Sequence, residues 1–292
     1  MNTPVTSIVS PAAAITRDVN IGRMLVEQGK ITLEEADRVR HLQEEEGLRF
    51  GDAAIRLGLV CESDIQRIHA QQFDYPCQPV AGPGIFPASL TAAYQPFSAE
   101  VEMLRNVRSQ LMLHWFAAGN KKLAIASVNP GDGNSMFAAN LSVVFSQLGN
   151  PTLLVDANLR RPRQHEIFRL NHGRGLADLL SGQSGLEMLV RAETFLDLSI
   201  LPAGSSVPNP QELINRSAFG VMNEKLCERF DIVLYDTPAF SSAADCLTIA
   251  SRAGGVLLVV RKNHTRVADL TVFSDQLRRS GTEIVGSVMV SF

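Results

Sequence analysis

Cysteine is scarce and scattered: the 292-residue chain has four, Cys61, Cys77, Cys227 and Cys246, with no CxxC spacing. That pattern excludes a disulfide framework and a thiolate zinc site, and fits reduced thiols. A basic excess is lacking as well, since 27 Lys and Arg stand against 30 Asp and Glu, for a net charge of −3. Duplex binding needs a basic face, so nucleic acid is excluded as the main partner. No apolar run approaches the roughly 18 residues of a spanning helix. The longest, such as Gly254 to Val260, have strand length. The first 20 residues lack the basic-then-apolar order of a secretory signal, so the cytoplasm is the expected compartment. The six histidines (His41, His69, His114, His165, His172, His264) show no ligand spacing, and no metal is assigned to them. Tyrosine is scarce too, with only Tyr75, Tyr94 and Tyr235.

What is present divides the chain. Residues 1–18 are small and polar with two prolines and read as a flexible arm. Residues 19–75 carry a helical period through Ile21, Leu25, Ile31, Ala36, Val39 and Leu42. A shift of 29 residues lays Gly22 on Gly51, Gly29 on Gly58, Ile31 on Val60, Arg38 on Arg67, Val39 on Ile68 and Gln43 on Gln72. Each copy predicts a helix closed by glycine and a second helix opened by a cap, Thr32 in one and Ser63 in the other. Residues 76–96 hold Pro76, Pro79, Pro83 and Pro87 with Gly82 and Gly84, and read as a linker. From 97 to 292, after a helix over 98–116, apolar runs at 123–128, 152–155, 198–201, 231–235, 255–260 and 284–290 alternate with helical stretches. Continuous apolar strands separated by helices predict a mostly parallel sheet covered on both faces, an α/β domain behind a small all-α one.

Three segments carry chemistry. SVNPGDGNSMFAANLSVVFSQLG, residues 127–149, places a glycine loop between a strand and an apolar helix opened by Ser135. Glycines let backbone N–H groups close on phosphate oxygens, and the helix N-terminus adds its positive end. The phosphate-loop lysine is replaced by Asn134, which carries no charge, so a plain strand-to-helix turn stays an open reading of this loop. LLVDANLRRPRQHEIF, residues 153–168, ends a strand in Asp156, an acid placed to hold Mg²⁺ or its water, or to accept a proton; a helix cap or surface ion pair is the plainer alternative. FDIVLYDTPAF, residues 230–240, brings Asp236 to another strand tip in the Walker B layout. Two such acids at adjacent strand tips beside a glycine loop favour a functional site.

With those segments in order, residues 97–292 resemble the bacterial tyrosine kinases of polysaccharide export, a P-loop NTPase-like family. EVEMLRNVR fits that family's ExxRxxR helix through Glu102, Arg105 and Arg108, and LRRPRQHEIF, GLADLLSG, LPAGSSVPNPQELI and VVRKNHT extend the match. LVEQGKIT and RLGLV resemble the helical domain at the front of type II secretion and pilus ATPases, and the combination is similar to EpsG-type chain-length-determinant kinases of exopolysaccharide biosynthesis. The resemblance implies ATP and Mg²⁺ as cofactors. It implies nucleotide contacts from Pro130, Gly131, Asp132, Gly133, Asn134, Ser135 and Met136, with the Ser135 hydroxyl, Asp156 and Asp236 on the metal and the two acids catalytic. It places Glu102, Arg105 and Arg108 at a ring-closing subunit interface. It also implies docking on an inner-membrane chain-length determinant protein, and a cytoplasmic location at that membrane.

Asn134 for lysine, Asn158 for the second aspartate of the family's DxD pair, and the missing tyrosine-rich tail together imply weakened ATP binding and slow or absent phosphoryl transfer. The missing charge could come from Arg160, Arg161, or a neighbouring subunit's Arg105 or Arg108. A non-catalytic scaffold is the alternative. A ParA/MinD-type ATPase is a third reading, weakened because residues 128–130 lack that class's extra lysine. Some secretion-ATPase helical domains bind cyclic di-GMP; here Arg49, Phe50, Gly51, Gly58 and Gln72 match one copy of that motif, while Asn20 and Ile21 depart in the other, so docking or packing competes with ligand binding.

Overall fold

Helix-stopping glycines and alternating apolar faces set the architecture in the computed structural model, which describes residues 21–62, 64, 65, 68, 85–170, 173–192 and 194–292. The chain divides into two compact units, residues 1–75 and 76–292.

In the first unit, helical residues 21–27 (α1) are followed by α2 (Leu33–Glu46) and α3 (Phe50–Arg56). The internal repeat reappears as repeated hydrogen bonding. Gly29 N donates to Val26 O and Lys30 N to Leu25 O; 29 residues on, Gly58 N donates to Ile55 O and Leu59 N to Ala54 O. Both glycines have left-handed φ, +66° and +68°, where a side chain would be strained. Thr32 opens α2 in a reciprocal capping box with Glu35. The equivalent cap in the second copy falls at Cys61, whose N–H donates to the Asp64 carboxylate at 3.1 Å. Ser63, read as that cap, lies outside the described residues, as do the arm at 1–18, Asn20, Gln72, Tyr75 and residues 76–84. Phe50 and Gly51 are buried, Phe50 against Gly22 and Gly51 against Ile65, so both serve the core of this unit.

The second unit starts earlier than the linker reading allows. Phe86, Leu90, Ala92 and Ala93 are buried core residues, and the short helix α4 (Thr91–Tyr94) is bound by Asn140 and Gln147 side chains. Prolines and glycines do preclude a long element here, yet they leave enough apolar side chains to pack. Ser98 caps α5 (Ala99–His114), and Trp115 then packs on Gly255 while its indole N–H donates to Lys122 O.

The sheet contains β1 (Lys122–Ser127), β2 (Thr152–Asp156), β3 (Val190–Arg191), β4 (Leu198–Leu201), β5 (Ile232–Asp236), β6 (Gly255–Arg261) and β7 (Glu283–Val290), in the order β3-β4-β2-β5-β1-β6-β7. All pairings are parallel except β3 with β4. The two-residue β3 is exposed and gives no apolar signal, which is why the sequence reading omits it. Strand side chains alternate between two apolar layers. Leu123, Ile125, Leu154 and Leu234 face the layer that includes α6 (Asn134–Ser146); Ala124, Leu153, Val155 and Tyr235 face the layer of the helices Ser217–Arg229, Asp245–Ala253 and Val267–Arg279. Helices on both faces of a parallel sheet make the domain α/β, as the alternation predicts.

GLADLLSG and LPAGSS turn out to be stitched together. Leu176 N and Ala177 N donate to Pro202 O and Ala203 O, and the Asp178 carboxylate accepts from Gly175 N and Ser205 N. A Cβ on Gly175 would lie 2.1 Å from Pro202 O, with only backbone to yield. Gly175→Ala is therefore expected to lower folding stability by about 1–3 kcal/mol, read as a shift in the midpoint of urea unfolding at unchanged slope.

Candidate functional site

Asp156 and Asp236 are paired in the β2–β5 register, so two acids sit side by side at the C-terminal edge of the sheet. Both are fully buried. Asp156 Oδ1 accepts from Asn158 N at 3.3 Å, and its Oδ2 accepts from Arg163 N at 3.0 Å and Gln164 N at 2.9 Å. Asp236 Oδ1 accepts from Asn134 Nδ2 at 2.8 Å, and its Oδ2 from Gln164 Nε2 at 2.7 Å. Each of these donors is neutral. Burial, reinforced by the charge of Asp236, holds the Asp156 carboxyl well above the usual range despite its three N–H bonds. Burial also pushes Asp236 up to about 6, against the hydrogen bonds from Gln164, Ser135 and Asn134.

The glycine loop joins β1 to α6 as expected. Gly131 and Gly133 have φ of +86° and +90°, and Gly133 is the N-cap of α6. Asp132 is fully buried: it accepts from Asn129 N at 2.8 Å and pairs with His264 Nδ1 at 2.7 Å. Arg261 donates to Gly131 O at 3.0 Å, and its guanidinium lies 4.2 Å from the centroid of the Phe292 ring, which rests on Gly133. The VVRKNHT segment thus braces the loop from β6. A cavity of about 540 Å³ beside it is lined by Asn129, Pro130, His264, Arg266 and Asp269. Nothing local in the sequence announces these contacts, because they join residues 130 or more positions apart.

Asn134 turns inward. Besides Asp236, its Nδ2 donates to Ile125 O at 3.0 Å and Thr237 O at 3.1 Å, while its Oδ1 is buried without a hydrogen-bond partner. Gln164 Oε1 is likewise buried and unpartnered. Arg160 makes a two-pronged bond to the buried Asp245, at 2.7 and 3.3 Å, and Arg161 is exposed. Neither bonds to the phosphate loop. Asn158 shapes its own turn by accepting from Arg161 N at 3.1 Å. Glu102, Arg105 and Arg108 lie together on α5, away in sequence from the loop; Glu102 pairs with Arg105 at 2.9 Å and Arg108 donates to Val144 O at 2.7 Å. Among the described residues, no helix is long and apolar enough to cross a membrane.

The donor set fits a divalent cation with a polyphosphate: two acids, the Ser135 hydroxyl, loop N–H groups, and two orphaned buried amide oxygens that lack a donor or cation. Such a cation would neutralise charge on a bound polyphosphate. Gln164, which the sequence reading passed over, is the residue that touches both acids.

No protein-family model matches the chain. It is 31% identical over 201 residues to the tyrosine-protein kinase YwqD of Bacillus subtilis, covering 69% of this chain and 85% of that one. It is 28% identical over 204 residues to the tyrosine-protein kinase wzc of Salmonella typhimurium, of which it spans only 28%. Among solved structures, the chimerical protein CapA2B2 superposes with a TM-score of 0.65 at 31% identity, over 77% of this chain and 97% of that one. The kinase domain of Escherichia coli tyrosine kinase ETK gives 0.67 at 25%, over 69% and 79%. The cell division ATPase MinD of Pyrococcus furiosus, at 23% identity and a TM-score of 0.51 over 58% and 71%, shares the fold. The ordered motifs, the sheet and these relatives agree: the chain belongs to the bacterial tyrosine-protein kinase (BY-kinase) family.

Proposed function

We propose that this chain is a tyrosine-kinase-like P-loop protein of exopolysaccharide chain-length control and export that binds ATP–Mg²⁺ with weakened catalysis. The observation that carries this reading is the pair of buried acids at adjacent strand tips beside an intact glycine loop. In it, the N–H groups of residues 131–135 would wrap the phosphates, Ser135, Asp156 and Asp236 would hold Mg²⁺, and Asp156 is the acid that would orient the metal or accept the tyrosine proton. With the lysine absent, the phosphates keep the loop N–H groups and lose one charge-assisted bond, worth about 1.5–3 kcal/mol. Self-association through α5 and docking on an inner-membrane chain-length determinant complete the proposal. Of its own tyrosines, Tyr235 is fully buried and bonded to Asn223 and the Tyr94 hydroxyl is held by both backbone groups of Phe86, while Tyr75 lies outside the described residues, which favours a target tyrosine on a partner.

One observation favours a second reading, a non-catalytic scaffold. The Asn134 Nδ2 bonds go to Ile125 O, Asp236 Oδ1 and Thr237 O, all protein groups, which commits the amide to the fold.

Calorimetry separates these readings. Wild type is expected to bind Mg²⁺–ATP and Asn134→Lys to bind it about tenfold more tightly; if neither binds ATP, the nucleotide reading is wrong. Phosphotyrosine formed on an added tyrosine substrate and abolished by Asp156→Ala would eliminate the scaffold.

The acids also set a pH dependence. A carboxyl whose pKa is raised on folding stabilises fully below its unfolded value near 3.8, and that contribution is lost as pH rises through about 6. Metal-free protein is expected to lose on the order of 2 kcal/mol between pH 4 and pH 7 from Asp236. Asp156→Asn should flatten that slope, measured by chemical denaturation across the range.

A further inference from the structure

Gln164 opens the short helix α7 (Gln164–Ile167) and is fully buried. Its backbone N–H donates to Asp156 Oδ2 at 2.9 Å, and its Nε2 donates to Asp236 Oδ2 at 2.7 Å and to Ser135 O at 3.0 Å. One residue therefore bonds the two acids and the main-chain carbonyl of Ser135, whose hydroxyl the nucleotide reading gives to the metal, and these come from β2, β5 and the first turn of α6.

We propose that Gln164 is a positioning residue of the metal–nucleotide site, fixing the spacing of Asp156, Asp236 and Ser135 for a divalent cation, with Asn134 as its counterpart on the other oxygen of Asp236. This inference rests on the nucleotide reading and deepens it. Two neutral N–H donors, one on each carboxylate oxygen, fix the plane of Asp236 without cancelling its charge. The two amides add no positive charge to compete with a cation, and the geometry is set before it arrives. The two amide oxygens that face no donor, Asn134 Oδ1 and Gln164 Oε1, are acceptors for the water that a bound Mg²⁺ retains. In this arrangement Asn134 has exchanged a phosphate contact for a metal-site contact.

A residue that merely spaces α7 from the sheet would affect all ligands alike, and that difference supplies the test. The full chain and Gln164→Met, which keeps the volume and removes the side-chain donors, are titrated by calorimetry with ATP in EDTA and with ATP plus Mn²⁺. The expected result is metal-free ATP affinity within twofold of wild type and Mn²⁺–ATP affinity reduced about tenfold. Equal losses with and without metal, or no loss in either, would overturn the proposal. A second measurement needs no variant: in the ¹⁵N spectrum of the wild-type chain, the Gln164 side-chain amide is expected to shift on adding Mg²⁺ alone or Mg²⁺ with ATP, and an unmoved resonance in both overturns the proposal even if Gln164→Met does not fold. Should wild type bind no ATP, the nucleotide reading fails by that result, while the response of the Gln164 amide to Mg²⁺ alone still decides the role of Gln164.

Discussion

Two carboxylates buried side by side constrain everything around them. Asp156 and Asp236 occupy paired positions on parallel strands, where like charges in a poorly solvated place oppose ionisation. A fold keeps such a pair only by surrounding it with donors. Here the donors are three backbone N–H groups on Asp156 and two side-chain amides with the Ser135 side chain on Asp236. The tight turn after β2, the inward position of Asn134 and the burial of Gln164 all follow from that requirement.

Seen from this pair, Asn134 is less a damaged lysine than a member of a different network. A lysine would bring a charge to the loop; the asparagine brings two N–H groups that serve Asp236 and the carbonyls of Ile125 and Thr237. The glycine loop in turn is braced from outside its own segment, by Arg261 on Gly131 and His264 on Asp132. In the nucleotide reading, phosphate affinity would depend on how rigidly that brace presents the loop N–H groups, because the compensating charge is absent.

Much of the fold is legible in the residues because strand and helix periods are local. Six strands lie within a residue of where apolar runs place them, and the doubled glycines of the first unit reappear with the same hydrogen bonds. Legibility fails where the signal is short or cooperative. Phe86, Leu90 and the 91–94 helix hide among prolines, β3 is too short and exposed to show a pattern, and Cys61 takes a cap position that its residue type does not advertise. Arg160 has the charge of a lysine substitute, yet the buried Asp245 claims it.

For the site, the amino-acid order by itself determined which groups are present: a glycine loop without its lysine, an acid ending each of two apolar strands, and an asparagine two residues beyond the first acid. Local chemistry suffices for that, since glycine φ and strand period need only neighbours. Tertiary structure alone decided their relations. It set Asp156 against Asp236, turned Asn134 away from the loop mouth, and gave Gln164, an unremarked residue in sequence, contact with both acids, because strand order and the β2–β5 register bring together groups 72 to 102 residues apart.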